Sequence, residues 1–173
     1  LYRGVMEDIY NTYTTAPSGG SFPFTDVAAS RWSYSYIRQL YEAGVIDGMT
    51  PTTFVPTGDV TRAQFVKMLA KLQGVDVSEY RSAGFEDVPA DVWYAPYVNW
   101  AAANGIVNGT SATTFDPSGQ ITREQLATML YRYAQSRGLV KADVQGDLSA
   151  FTDSASVSLY AVEAMRWAVA AGI

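Results

Sequence analysis

Along most of the chain, apolar residues recur three and four positions apart, the spacing that gathers them on one side of a helix. Tyr36, Ile37, Leu40 and Tyr41, with Ser33 ahead of them, keep it up to Gly44, and Tyr94, Tyr97, Val98, Ala101 and Ala102 keep it up to Gly105. Glycine suits a helix end because it enters the left-handed region without a Cβ clash. Phe65, Met68, Leu69 and Leu72 form a further stripe, matched by Leu126, Met129, Leu130 and Tyr133, while Ala161, Ala164, Met165, Ala168 and Val169 run up to Gly172. Leu1, Val5, Ile9 and Tyr13 give a short amphipathic helix at the head, with Gly4 inside it. The spacing predicts helices over 1–13, 33–43, 61–73, 94–104, 122–136 and 160–171, with little or no strand.

Two of these helices announce their own starts. Thr61 and Thr122 stand where a hydroxyl accepts from a free N–H of the first turn, and Gln64 and Gln125, three residues on, reach back to the cap residue's own N–H. Each Thr is followed by an arginine, Arg62 or Arg123. A cation in the first turn opposes the helix dipole by some tenths of a kcal/mol, so another use is expected. Free N–H groups, the dipole and a guanidinium together suit a carboxylate or phosphate. Solvation, or pairing with a nearby Asp, stands as the other reading, and on either one the fold should tolerate loss of the arginine.

The capped stretch is written twice. Phe54-Val55-Pro56-Thr57-Gly58-Asp59-Val60-Thr61-Arg62-Ala63-Gln64 returns as Phe115-Asp116-Pro117-Ser118-Gly119-Gln120-Ile121-Thr122-Arg123-Glu124-Gln125, 61 residues later. The same offset maps Phe24-Thr25-Asp26-Val27 on Phe85-Glu86-Asp87-Val88, Trp32 on Trp93 and Gly48 on Gly109. A third opening, Phe151-Thr152-Asp153-Ser154, precedes a helix with Tyr160 at the tryptophan position. Such self-similarity marks a tandem array. The units divide as a head of helix and linker over 1–23, a first repeat over 24–84, a second over 85–150 and a partial third over 151–173. Residues 74–84 and 137–150 are expected to be flexible linkers. The third unit lacks its second helix, so Met165, Trp167 and Val169 are expected to be partly uncovered unless the chain continues or the head helix fills the place.

Composition then narrows the chemistry. With 12 Lys and Arg against 17 Asp and Glu the net charge is −5, and no basic cluster offers itself to nucleic acid or an anionic membrane. There is no Cys and no His, which removes disulfides, thiolate nucleophiles, the usual zinc sites and histidine-based triads. No apolar run is long enough to span a bilayer and no signal peptide opens the sequence, so an export signal or anchor would lie outside it. No cofactor and no catalytic residue is indicated.

Units of this length that open Phe-x-Asp-Val, carry Trp eight residues after the Phe, then Ala-x-x-Gly-Ile/Val, and close on Ile/Val-Thr-Arg-x-Gln resemble the S-layer homology (SLH) family. The resemblance covers residues 24–173. It implies an all-helical, pseudo-threefold bundle of tandem helix-loop-helix repeats, without catalysis, that tethers exported proteins to the bacterial cell wall. The implied partner is a secondary cell-wall polysaccharide bearing ketal-linked pyruvate, held in grooves between units beside the family's Thr-Arg-Ala-Glu segment. Carried over, that segment is Thr61-Arg62-Ala63-Gln64 and Thr122-Arg123-Glu124-Gln125, with Gln where the family usually has Glu.

Around it, Trp32 and Trp93 either stack on a sugar face or anchor their helices in the core, the latter being commoner for a large aromatic at a helix start. Asp26 and Asp87 either hold the arginines and sugar hydroxyls or cap the local backbone. Gly48 and Gly109 are read as turn residues of positive φ that also let a ligand approach the backbone. A calcium-dependent module is the first rival. Gly119 at loop position six of an EF-hand, however, puts Thr114 at position one and Gln125 at twelve, without the acids calcium needs. An accessory domain of a surface glycoside hydrolase is the second, and Glu86 beside Asp87 is a poor catalytic pair because neighbours on a turn point apart. The sequence does not decide the oligomeric state.

Overall fold

The computed structural model describes residues 21–140 and 146–173, so the helix expected over 1–13 lies outside the described residues. Five α-helices follow one another: α1 (Tyr34–Glu42), α2 (Arg62–Gln73), α3 (Ala95–Ala103), α4 (Arg123–Ser136) and α5 (Val162–Ala171). Among the described residues there is no strand, only isolated bridges at Thr50–Thr53 and Thr61–Gln120. The fold is all-α, and each helix expected within the described residues is present within one or two residues. The fifth differs most, because Leu159–Ala161 winds as a 3-10 turn before α5 begins.

Local chemistry explains the ends. The hydroxyls of Thr61 and Thr122 accept from the N–H of Gln64 and Gln125, whose side chains accept in turn from the N–H of the two threonines, closing both capping boxes. Beyond α1, α3 and α5 the chain turns left-handed at Gly44, Gly105 and Gly172. It then folds Val45 and Ile46, or Ile106 and Val107, back under the helix by hydrogen bonds to the carbonyls of Leu40 and Ala101.

The most extensive helix-on-helix packing is not within a repeat, although Met68 and Leu72 of α2 touch the cluster that holds Ile37 of α1. The second helix of one unit packs on the first helix of the next, α2 on α3 and α4 on α5. The largest apolar cluster therefore joins units one and two, with Val66, Leu69, Val98, Trp100, Ala101, Phe115 and Met129 at its centre. A second joins units two and three through Ala127, Tyr131, Ala164, Trp167 and Ala168, and a third, of Phe24, Val27, Ile37, Val45 and Ile46, belongs to unit one. Trp167 is thus buried by α4 rather than uncovered, while Met165 and Val169 are half-buried. The stretch 74–84 is docked, not a loose linker: Val75, Val77 and Tyr80 pack on the first cluster, and Ala83 donates to the Asn99 side chain. In the later connector, Leu139 and Val140 pack on the second cluster, and Gly146 lies so close over α5 that a Cβ would stand 2.7 Å from the Arg166 carbonyl oxygen.

Helix α1 shows what this pattern demands. On α3 the face holding Tyr97 and Ala101 is covered by α2, but the matching residues Tyr36 and Leu40 are exposed, alongside Trp32 at 80%. The apolar stripe was correctly legible, but among the described residues no helix packs on it as α2 packs on α3.

The first two units are each pinned by an aspartate. The Asp26 carboxylate accepts from the N–H groups of Phe54 (2.9 Å) and Val55 (2.7 Å), and Asp87 does the same for Phe115 (2.8 Å) and Asp116 (2.7 Å). The bonds from the Phe54 and Val55 backbone hold the Asp26 carboxyl below its ordinary range. This grip fixes the second residue of each pair in the left-handed region, at φ 62° for Val55 and 58° for Asp116. Asp tolerates that conformation, whereas a β-branched Val is strained there by about 1–2 kcal/mol. Val55→Asn should accordingly raise the unfolding free energy by about 1 kcal/mol, read as a higher urea midpoint at unchanged slope; a lower midpoint would mean the strain is offset by packing.

Candidate functional site

Two grooves lie at the junctions between units, and they are built alike. The first, about 560 Å3, is bounded by the loop through Gly48, by Gln64, Lys67 and Met68 on α2, and by Trp93 from the next unit. The second, about 430 Å3, is bounded by the loop through Gly109, by Gln125, Thr128, Met129 and Arg132 on α4, and by Tyr160 from the next unit. Arg62 enters the second groove from the preceding unit.

Arg62 is therefore not beside its own unit's groove, and it is not the solvent-facing group that its first-turn position suggests. It is 4% exposed. Its Nε–H donates to the Phe115 carbonyl (2.8 Å), and its guanidinium sits 4.7 Å from the centre of the Phe115 ring. Burial lowers its pKa, countered by the nearby charges of Asp116 and Asp87. The N–H groups that open α2 are also taken: Arg62 donates to the Gly119 carbonyl and Ala63 to that of Pro117, with Ile121 N–H answering to Val60. The free anion-binding helix start expected at Arg62 is closed by the loop of the second unit. Arg123 is its opposite, exposed at the start of α4. Among the described residues no third-unit loop covers it.

The remaining expected residues divide by position. Gln64 and Gln125 serve both as cap partners and as groove walls, whereas Thr61 and Thr122 are caps alone. Asp26 and Asp87 spend their carboxylates on the backbone and line neither groove. Trp93, 54% exposed, forms a wall of the first groove, so the core anchor expected of it is not found; the buried tryptophans are Trp100 and Trp167. Trp32 is on the exposed stripe of α1, outside both grooves. Gly109 has the expected positive φ of 76°, while Gly48 does not. At Gly48 the need is space, since a Cβ would run into the Phe24 ring and stand 2.7 Å from the Thr53 carbonyl oxygen.

Sequence reasoning missed Lys67, Thr128 and Arg132. A signal was present: Gln125, Thr128, Met129 and Arg132 follow the i, i+3, i+4, i+7 face that starts at the capping glutamine. Tyr160 is fixed on its wall by Glu124, whose carboxylate accepts from the Tyr160 hydroxyl (2.9 Å), the Ser158 hydroxyl (2.9 Å) and the Ser158 N–H (3.0 Å). Those bonds, the Ser158 N–H first, hold the Glu124 carboxyl below its ordinary 4.5. Burial and the Glu124 carboxylate push the Tyr160 phenol up.

Among families of known proteins, the S-layer homology domain matches residues 23–66 and 84–127. The chain belongs to the S-layer homology family. As an SLH chain it is similar to an endoglucanase of Bacillus sp. (strain KSM-635), 36% identical over 169 residues that make up 96% of this chain and 17% of that protein. It is also similar to the surface-layer 125 kDa protein of Lysinibacillus sphaericus (31%, over 83% of this chain and 12% of that one) and to the exoglucanase XynX of Acetivibrio thermocellus (31%, over 92% and 15%). The chain thus spans less than a fifth of the length of these relatives. Both matched SLH segments run from the Phe-x-Asp-Val opening through the Thr-Arg-x-Gln cap, the stretch that builds the aspartate clamp and the groove loop.

Two outcomes are expected. Arg62→Ala should cost about 2–4 kcal/mol of stability, because it strands a buried carbonyl and empties space over Phe115, whereas Arg123→Ala should stay within about 0.5 kcal/mol. Equal melting curves for the two variants would contradict the burial of Arg62. Glu124 has its folded pKa depressed, so its contribution is complete above about pH 4.5 and fades as pH falls through the folded value. Between pH 5 and 3 the melting temperature of the parent should drop more steeply than that of Glu124→Gln.

Proposed function

We propose that this SLH chain is a non-catalytic module that anchors an exported protein to the bacterial cell wall by holding an acidic wall polysaccharide in its inter-unit grooves. The observation that carries this reading is the second groove. An aromatic ring at Tyr160 and two guanidinium groups at Arg62 and Arg132 line one concave surface. A ring face stacks on a sugar, and guanidinium groups hold a carboxylate through paired N–H donors. Ketal-linked pyruvate, the substituent that the family resemblance implies, supplies such a carboxylate. No helix among the described residues is long and apolar enough to cross a membrane, so attachment through the wall polymer needs no span in this segment.

The kinship supports the same reading. Relatives named as an endoglucanase, an exoglucanase and a surface-layer protein share this segment over a small part of their length, as an attachment device joined to different cargo would. The repeats proposed are 24–84 and 85–150, with a partial third over 151–173 and the head over 1–23. The test is co-sedimentation with purified wall sacculi. The chain should pellet with sacculi that keep their polysaccharide, stay in solution with sacculi chemically stripped of it, and release no reducing sugar from either. Equal pelleting with stripped sacculi would refute a polysaccharide partner.

A further inference from the structure

The two grooves share a plan but not a charge, and we infer that only the Tyr160 groove accepts the acidic sugar, the Trp93 groove being closed to anions by its own carboxylates. This rests on the anchoring reading and sharpens it. On the walls of the Tyr160 groove the charged residues are Arg62 and Arg132, two positive charges and no negative one. On those of the Trp93 groove they are Asp47, Asp59 and Lys67, two negative and one positive, a net −1. Lys67, the one cation there among the described residues, is already engaged: its Nζ lies 2.6 Å from Asp47 Oδ2 and 5.6 Å from the centre of the Trp93 ring.

The repeat makes the difference chemically specific. The offset of 61 that aligns the units sets Asp47 against Asn108 and Asp59 against Gln120, so at two positions an acid in one unit corresponds to an uncharged amide side chain in the other. A carboxylate entering the Trp93 groove meets Lys67 and Asp47 already matched to each other at contact distance, and beside them the negative charge of Asp59, whose Oδ2 accepts from the Gln120 side chain (2.7 Å). In the Tyr160 groove, Glu124 accepts from the Tyr160 hydroxyl without lining the groove, so the charged groups on the walls that the anion meets are the arginines. Two grooves of like shape thus differ in the sign of the charge they admit.

The experiment uses a methyl glycoside carrying a 4,6-ketal of pyruvic acid, titrated into the 173-residue chain by calorimetry, with the indole N–H resonance of Trp93 followed in parallel. One equivalent should bind while the Trp93 resonance stays in place. Arg132→Ala should weaken binding at least tenfold, and Lys67→Ala should leave it unchanged. The double variant Asp47→Asn/Asp59→Gln, which installs the uncharged residues of the matching positions in the second unit, should gain a second equivalent and a moving Trp93 signal; its melting curve confirms that it folds. Two equivalents in the parent, a loss on Lys67→Ala equal to that on Arg132→Ala, or a folded double variant still binding one would overturn this inference and leave the anchoring reading standing. No binding of the ketal by the parent would overturn both.

Discussion

The structure depends on one exchange across the first junction, in which the loop of the second unit finishes the helix of the first. A helix start leaves N–H groups without partners, and at α2 the capping threonine serves one of them while the carbonyls of Gly119 and Pro117 serve the two before it. The Arg62 side chain continues in the same direction to the Phe115 carbonyl and ring. Because those acceptors are on the loop that Asp87 clamps, the cap, the arginine and the clamp hold one another in register. Phe115 is consequently fully buried, whereas Phe54, its counterpart in the first unit, is only half-buried.

What was legible in the sequence was whatever depends on neighbours along the chain. Capping boxes, glycine stops and the spacing of apolar residues act over one or two helical turns, and they placed the helices to within a residue or two. The repeat was legible because the offset of 61 persists through unlike residues. What could not be read is which repeat touches which. The helix-loop-helix of the sequence is not the packing unit, since α2 belongs with α3 and α4 with α5. Hence Arg62, which looks solvent-facing from its place in the first turn, finds its partner 53 residues later. Trp93, which looks like a core anchor, stands at a groove mouth while Trp100 takes the core.

The same register explains why two copies of one motif differ in environment. Arg62 and Arg123 open helices with matching caps, yet one is enclosed and the other exposed, because enclosure comes from the following unit's loop. Charge varies in the same positional way. Lys67 and Thr128 occupy one place in the repeat, as do Ala63 and Glu124, and only the second unit thereby gains a carboxylate that ties the next unit's Tyr160 in place. A motif fixes the backbone of each groove, and the residues that vary within the motif decide its chemistry.

The second groove draws its walls from three stretches remote in sequence, at Arg62, at Gly109 and Arg132, and at Tyr160. Anything bound there is in effect a cross-link. It forbids the separation of segments that an unfolding chain must let go, and by mass action it adds to the stability of the whole array. In the anchoring role proposed above, grip and stiffness would rise together: holding the ligand would also be what keeps the anchor from being pulled open.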